Sequence, residues 1–147
     1  MEVVRQAADD LARCTAPDPE VPAADRTAAV LAALIRWADS YGEPLRILLG
    51  KGGGANPELQ AIMRDARRKQ VDLMLAGMRD ARAELDLPPL PDTPVLRYAV
   101  RGWIGFIEGL LADWLEQRDI PEDQLLALML HAAGGALSAA RRTASPE

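Results

Sequence analysis

Residues 98–115 read YAVRGWIGFIEGLLADWL, and in that stretch only Arg101, Glu108 and Asp113 carry charge. On a helical wheel Arg97, Arg101 and Glu108 share one narrow strip, and apolar residues cover almost everything else. A helix that is apolar nearly all round has to be buried on nearly all sides. The next segment repeats the pattern: from Leu125 to Ala140 only His131 and Ser138 have polar side chains. Two such neighbours exceed what one small subunit can cover, so a partner chain is expected. Composition agrees with helix throughout. Alanine and leucine supply 47 of the 147 residues, against 17 for valine, isoleucine and threonine. Unbranched side chains lose little freedom in a helix and β-branched ones lose more. The fold class expected is all-α, in a single domain.

Prolines punctuate the chain and fall outside the periodic apolar segments, where they would remove a backbone donor and clash with the preceding turn. Working outward from the quoted stretch, they delimit about six helices: 3–16, 22–41, 44–49, 57–85, 94–117 and 121–142. The first puts Val4, Ala7, Ala8, Leu11 and Ala12 on one face. The second has two apolar stripes, Ala28-Leu31-Ile35-Ala38 and Val30-Leu34-Trp37-Tyr41, so cover is expected on two sides. Asn56 is placed to cap the long fourth helix, whose expected core face is Leu59, Ile62, Met63, Ala66, Leu73, Met74, Gly77, Ala81 and Leu85.

Charge and cysteine content bound the function. Seventeen basic residues against 22 acidic give a net charge of −5, which suits a nucleic-acid surface poorly. One cysteine, Cys14, excludes an internal disulfide and suits a reducing compartment. No apolar run reaches the ~20 residues of a membrane span, and the first residues lack the hydrophobic stretch of a signal peptide. A cytoplasmic protein with no membrane partner is expected.

Catalytic and metal signals are weak. Gly50-Lys51-Gly52-Gly53-Gly54 lacks the Ser or Thr that follows lysine in a phosphate loop, and a helix precedes it where that loop requires a strand. Nothing orients Cys14 and His131 as nucleophile and base, and one imidazole makes a poor metal site. Gln124, His131 and Ser138 recur every seven residues, as a solvated or interface strip would. Neither metal nor cofactor is expected, nor enzymatic activity. The interleaved charges from Arg64 to Glu84 read as a solvated helix face.

What stands out is apolar. Trp37, Tyr41, Tyr98, Trp103 and Phe106, with Met63, Met74 and Met78 at helical spacing on the long helix, make adaptable walls for a hydrophobic ligand. Gln70 interrupts the inward face of that helix and could supply one polar contact. These nine residues are the expected lining of a pocket between the second, fourth and fifth helices. The fifth helix also offers a stripe of small residues, Gly102, Gly105, Gly109 and Ala112. The sixth offers Ala127, Gly134 and Ser138, with Gly135 on a neighbouring strip and His131 between. Glycine inside a helix costs about 1 kcal/mol relative to alanine, so a packing reason is expected: a homodimeric four-helix bundle.

Arg101-Gly102-Trp103-Ile104-Gly105-Phe106-Ile107-Glu108-Gly109, followed by Asp113-Trp114-Leu115-Glu116 and Asp119-Ile120-Pro121-Glu122, resembles the last two helices of the C-terminal regulatory domain of TetR-type transcriptional repressors. Leu48-Leu49-Gly50-Lys51-Gly52-Gly53 with Asn56-Pro57-Glu58 resembles the short helix, loop and long-helix start of that family. The resemblance implies a ligand-binding and dimerisation domain, with a small hydrophobic effector held inside each subunit. Family members carry an N-terminal helix-turn-helix that reads DNA. No such element is expected in these residues, so the chain alone is not expected to bind nucleic acid. The alternative is a free-standing dimeric binding protein for small apolar molecules.

Overall fold

The computed structural model of the chain describes residues 2–42, 54 and 56–144. Five helices make up the described chain: α1 (Glu2–Cys14), α2 (Ala23–Tyr41), α3 (Pro57–Glu84), α4 (Pro94–Gln117) and α5 (Glu122–Ala144). The described residues are all-α. No described helix is long and apolar enough to cross a membrane. The short helix expected at 44–49, and residues 50–53 of the glycine segment, lie outside the described residues.

Local chemistry sets the boundaries. The Asn56 side chain accepts hydrogen bonds from the Glu58 and Leu59 amides at 3.0 and 3.2 Å, and Pro57 occupies the first turn. Thr93 does the same for the Leu96 amide at 3.2 Å, ahead of Pro94. These caps satisfy amides that have no partner within their own helix. Gly42 ends α2 at φ +56°, a left-handed conformation that costs glycine nothing. Arg118 ends α4 at φ +52°; its guanidinium lies 4.1 Å from the Trp114 ring centroid and pairs with Asp39.

The core forms where α2, α4 and α5 meet. Leu31, Ile35, Ala38, Leu125 and Met129 are buried to 2% exposure or less, packed with Leu96, Val100, Trp103, Ile104, Ile107 and Leu111. Each such aliphatic side chain is worth roughly 1.5–3 kcal/mol on burial. The Trp103 indole N–H donates to the Met129 carbonyl at 3.0 Å and that of Trp114 to the Ile120 carbonyl at 2.9 Å. Of the two stripes of α2, the one through Leu31 enters this core, while Val30, Leu34 and Trp37 of the other turn to a cavity.

Helix α3 departs from its expected core face. Met63 is buried, but the other buried residues are Val71 and Leu75, while Leu73 and Leu85 are exposed. Its charges also do more than face solvent. Arg67 reaches Glu108 of α4, Asp72 receives Arg97, and Glu84 takes both terminal nitrogens of the buried Arg26 at 3.0 Å. Arg26 donates as well to the carbonyls of Pro19 and Val21, so its buried charge is fully partnered. That pair holds the Glu84 carboxyl below its usual range.

Candidate functional site

A cavity of about 290 Å³ lies between α1, α2, α3 and α4, close to the lower end of the size range of small-molecule sites. Two ion pairs and a close approach define how its walls run. Arg5 meets Glu58 at 3.2 Å, and the Pro17 ring lies beside Gly77, 3.5 Å from where a Cβ would stand, so α1 runs parallel to α3. Arg26 meets Glu84, so α2 runs antiparallel to both. The lining follows α3 from Ile62 to Arg82, about 30 Å of helix at 1.5 Å per residue. The site is therefore long and narrow, with Thr27 and Leu73 as the exposed members of its wall.

Most of the wall is apolar. Val4, Ala7, Ala8 and Leu11 come from α1, Val30, Leu31, Leu34 and Trp37 from α2, and Ile104, Ile107 and Leu111 from α4. The polar exceptions are specific. Arg67 makes a two-pronged contact with Glu108, Nε to Oε1 at 2.9 Å and one terminal nitrogen to Oε2 at 2.8 Å. Both side chains are about one-fifth exposed, at 22% and 23%. The carboxylate raises the Arg67 pKa further above its usual value, and the pair presents no net charge to the cavity. Gln70 lines the cavity and makes no side-chain hydrogen bond among the described residues. The Trp37 indole N–H is buried with no acceptor among the described residues, a cost of about 1–3 kcal/mol.

Of the nine residues expected to line the pocket, Trp37, Met63, Gln70, Met74 and Met78 line this cavity. Four do not, and each has a physical reason. Trp103 is consumed by the core and by its bond to Met129. Tyr41 packs against Trp37 with ring centroids 5.1 Å apart and donates its hydroxyl to Asp10 at 2.5 Å, on the α1 side of α2. Tyr98 and Phe106 lie on the opposite side of α4, 79% and 42% exposed. Helical phase carries that signal: Phe106 stands about 100° per residue, hence roughly 160° round the wheel, from Ile104. The contribution of α1 was not foreseen, although its apolar face was visible in the sequence.

The small residues of the last two helices sit on that same outer side. Gly102, Gly109, Ala127, His131, Gly134, Gly135 and Ser138 are exposed, while Gly105 and Ala112 are half-buried. A Cβ added at Gly102, Gly109, Gly134 or Gly135 would meet nothing within 4 Å. Packing against the described residues of the subunit therefore does not explain these four glycines. Leu128, 44% exposed, adds to the apolar character of this face. Cys14 is exposed at the end of α1. Among the described residues no group of three His, Cys, Asp or Glu side chains could hold a metal ion. Compared with protein families, curated proteins and solved structures, the chain matches no family model, no curated protein and no solved structure.

Proposed function

We propose that this chain is the effector-sensing and dimerisation domain of a TetR-like transcriptional regulator, binding a small apolar molecule in the α1–α4 cavity. The observation that carries the reading is the position of α4. Ile104, Ile107, Glu108 and Leu111 form one wall of the cavity, while Gly102, Phe106 and Gly109 of the same helix face outward. An occupant of the cavity thus presses on the helix that would dock a second copy. In such a dimer the outer faces of α4 and α5 pack as a four-helix bundle, for which exposed glycines allow close backbone approach.

The mechanism is a population shift. A ligand that fits better when α3 and α4 stand further apart favours that arrangement, and the dimer converts it into a change of spacing between attached DNA-reading domains. Two measurements test the reading together. Tryptophan fluorescence is followed while candidate apolar molecules are added, and sedimentation reports the oligomeric state. Saturable quenching with a dimer at micromolar concentration supports it; a stable monomer with no ligand response overturns it. The 147-residue chain alone is expected to leave duplex DNA unshifted in a gel at moderate salt. A helix-turn-helix encoded in frame upstream of Met1 separates a regulator from a free-standing binding protein.

A further inference from the structure

The chemistry of the cavity's ligand can be narrowed from the one buried donor that the fold leaves without an acceptor among the described residues, and from the half-buried amide near it. Three indoles are present, and those of Trp103 and Trp114 already donate to backbone carbonyls. That of Trp37 is sealed from solvent with no acceptor among the described residues. Gln70 is also unpartnered there. The Arg26–Glu84 pair fixes the register of the two antiparallel helices that carry them. Eleven residues along each helix from that pair, about 16 Å, Trp37 comes level with Leu73, and Gln70 lies within one turn of that level. One buried donor without an acceptor, the Trp37 indole N–H, and one half-buried amide with no side-chain partner among the described residues, that of Gln70, therefore stand within one turn of each other, midway along an otherwise apolar channel.

Charge decides what could satisfy them. Close to this level, one turn of α3 from Gln70, the charged members of the lining are Arg67 and Glu108, and they neutralise each other through a two-pronged contact. Arg26 is saturated by Glu84 and two carbonyls, near the far end of the channel. A carboxylate at mid-channel would find no unclaimed cation there and would face the Glu108 carboxylate. A buried anion without a partner is strongly disfavoured, whereas a neutral oxygen needs only hydrogen-bond donors.

We propose that the cavity takes a neutral, largely aliphatic molecule with an acceptor oxygen away from its ends, a ketone, ester or secondary alcohol. That oxygen accepts from the Trp37 indole N–H and the Gln70 amide, while the two arms lie against Ile62 and Met63 on one side and Leu34, Met74 and Met78 on the other. The acceptor arrives with the ligand, through a small shift of the indole within the cavity wall. This rests on the reading of the cavity as the effector site.

The test uses the full chain labelled with nitrogen-15 and three probes of equal length: dibutyl ketone, nonane and nonanoate. Each indole N–H gives one cross-peak, and Trp37→Phe identifies that of Trp37. The ketone is expected to bind at least tenfold tighter than the alkane and to move the Trp37 peak downfield while the Trp103 and Trp114 peaks hold still. Gln70→Leu is expected to shrink the gap between ketone and alkane without weakening the alkane. Equal affinity of ketone and alkane with an unmoved Trp37 peak overturns the inference, as does nonanoate binding tighter than the ketone. Binding of none of the three overturns the effector-cavity reading itself, and this inference with it.

Discussion

On its inner side α4 presents Leu96, Val100, Trp103, Ile104, Ile107, Leu111 and Trp114, each 7% exposed or less. On its outer side Tyr98 and Phe106 stand 79% and 42% exposed, with Gly102 and Gly109 between and beyond them. The two sides draw on similar residue types, large rings included. What separates them is the presence of α2, α3 and α5 opposite one side and of none of the described residues opposite the other. An aromatic residue thus reports that a surface wants cover, and only helical phase reports which surface. Tyr98 and Phe106 share their chemistry with Trp37 and belong, by phase, with the glycines.

The largest effect should come from the inner side. Trp103→Ala is expected to cost the fold about 3–5 kcal/mol, since it removes a buried ring and the donor to Met129. Phe106→Ala should cost the isolated subunit less than about 0.5 kcal/mol. Urea denaturation of both variants at low protein concentration measures the contrast. Comparable losses would erase the distinction between the two sides.

A second variant attacks the outer side directly. The space beside Gly135 is open, so Gly135→Arg should leave the subunit folded. If a second copy packs there, the substitution buries an unpaired cation. Association is expected to weaken roughly a hundredfold, about 3 kcal/mol. Sedimentation velocity over a range of concentrations reads this, with circular dichroism as the control for folding. An undiminished dimer would place the interface elsewhere.

Much of this architecture was legible because its boundaries are chemical. Asn56-Pro57 and Thr93-Pro94 announce helix starts, and Gly42 announces an end. The misreading of α3 has a geometric cause. A single stripe through Leu59, Met63, Met74 and Leu85 assumes one neighbour, but α3 serves two. It turns Met63, Gln70, Met74 and Met78 to the cavity, and it contributes Val71 and Leu75 to the core cluster beside Leu96 and Val100. Val71 stands between Gln70 and Asp72, and both Val71 and Leu75 fall roughly 100° round the wheel from the stripe, so a one-neighbour reading places them outside. The ion pairs escaped for a different reason. Arg67 and Glu108 are 41 residues apart, and local charge spacing predicts only contacts three or four residues away. The unpartnered Trp37 N–H was equally hidden, because satisfaction of a donor depends on neighbours from other helices.

The Arg67–Glu108 contact tests the inner side at its polar point. Both side chains are largely withdrawn from water, so Arg67→Met leaves a carboxylate short of its partner at the cavity wall. The expected cost is about 1–3 kcal/mol, below that of a fully buried pair because solvent still reaches the group. Adding Glu108→Leu should recover most of it, and a double-mutant cycle by denaturation gives the coupling. Strict additivity of the two substitutions would show that the contact stabilises nothing.

Gly102→Ala carries the smallest expected change, and its sign is what matters. In an isolated subunit the new methyl group meets no atom within 4 Å, and alanine is better than glycine inside a helix by about 1 kcal/mol. On the Gly135→Arg background, where the chain should be monomeric, Gly102→Ala is therefore expected to raise stability by about that amount. On the unmodified background the same methyl group would stand between two closely approaching helix backbones, so the dimer should weaken. Measuring denaturation on the first background and the dissociation constant on the second separates the two effects. A gain of stability together with an unchanged dimer would mean that glycine at this position serves no close approach, and the outer face of α4 would lose its claim to be a dimer surface. Opposite signs on the two backgrounds would tie the excess of helical glycine on this side to the second copy, a role that none of the described residues of the subunit fills.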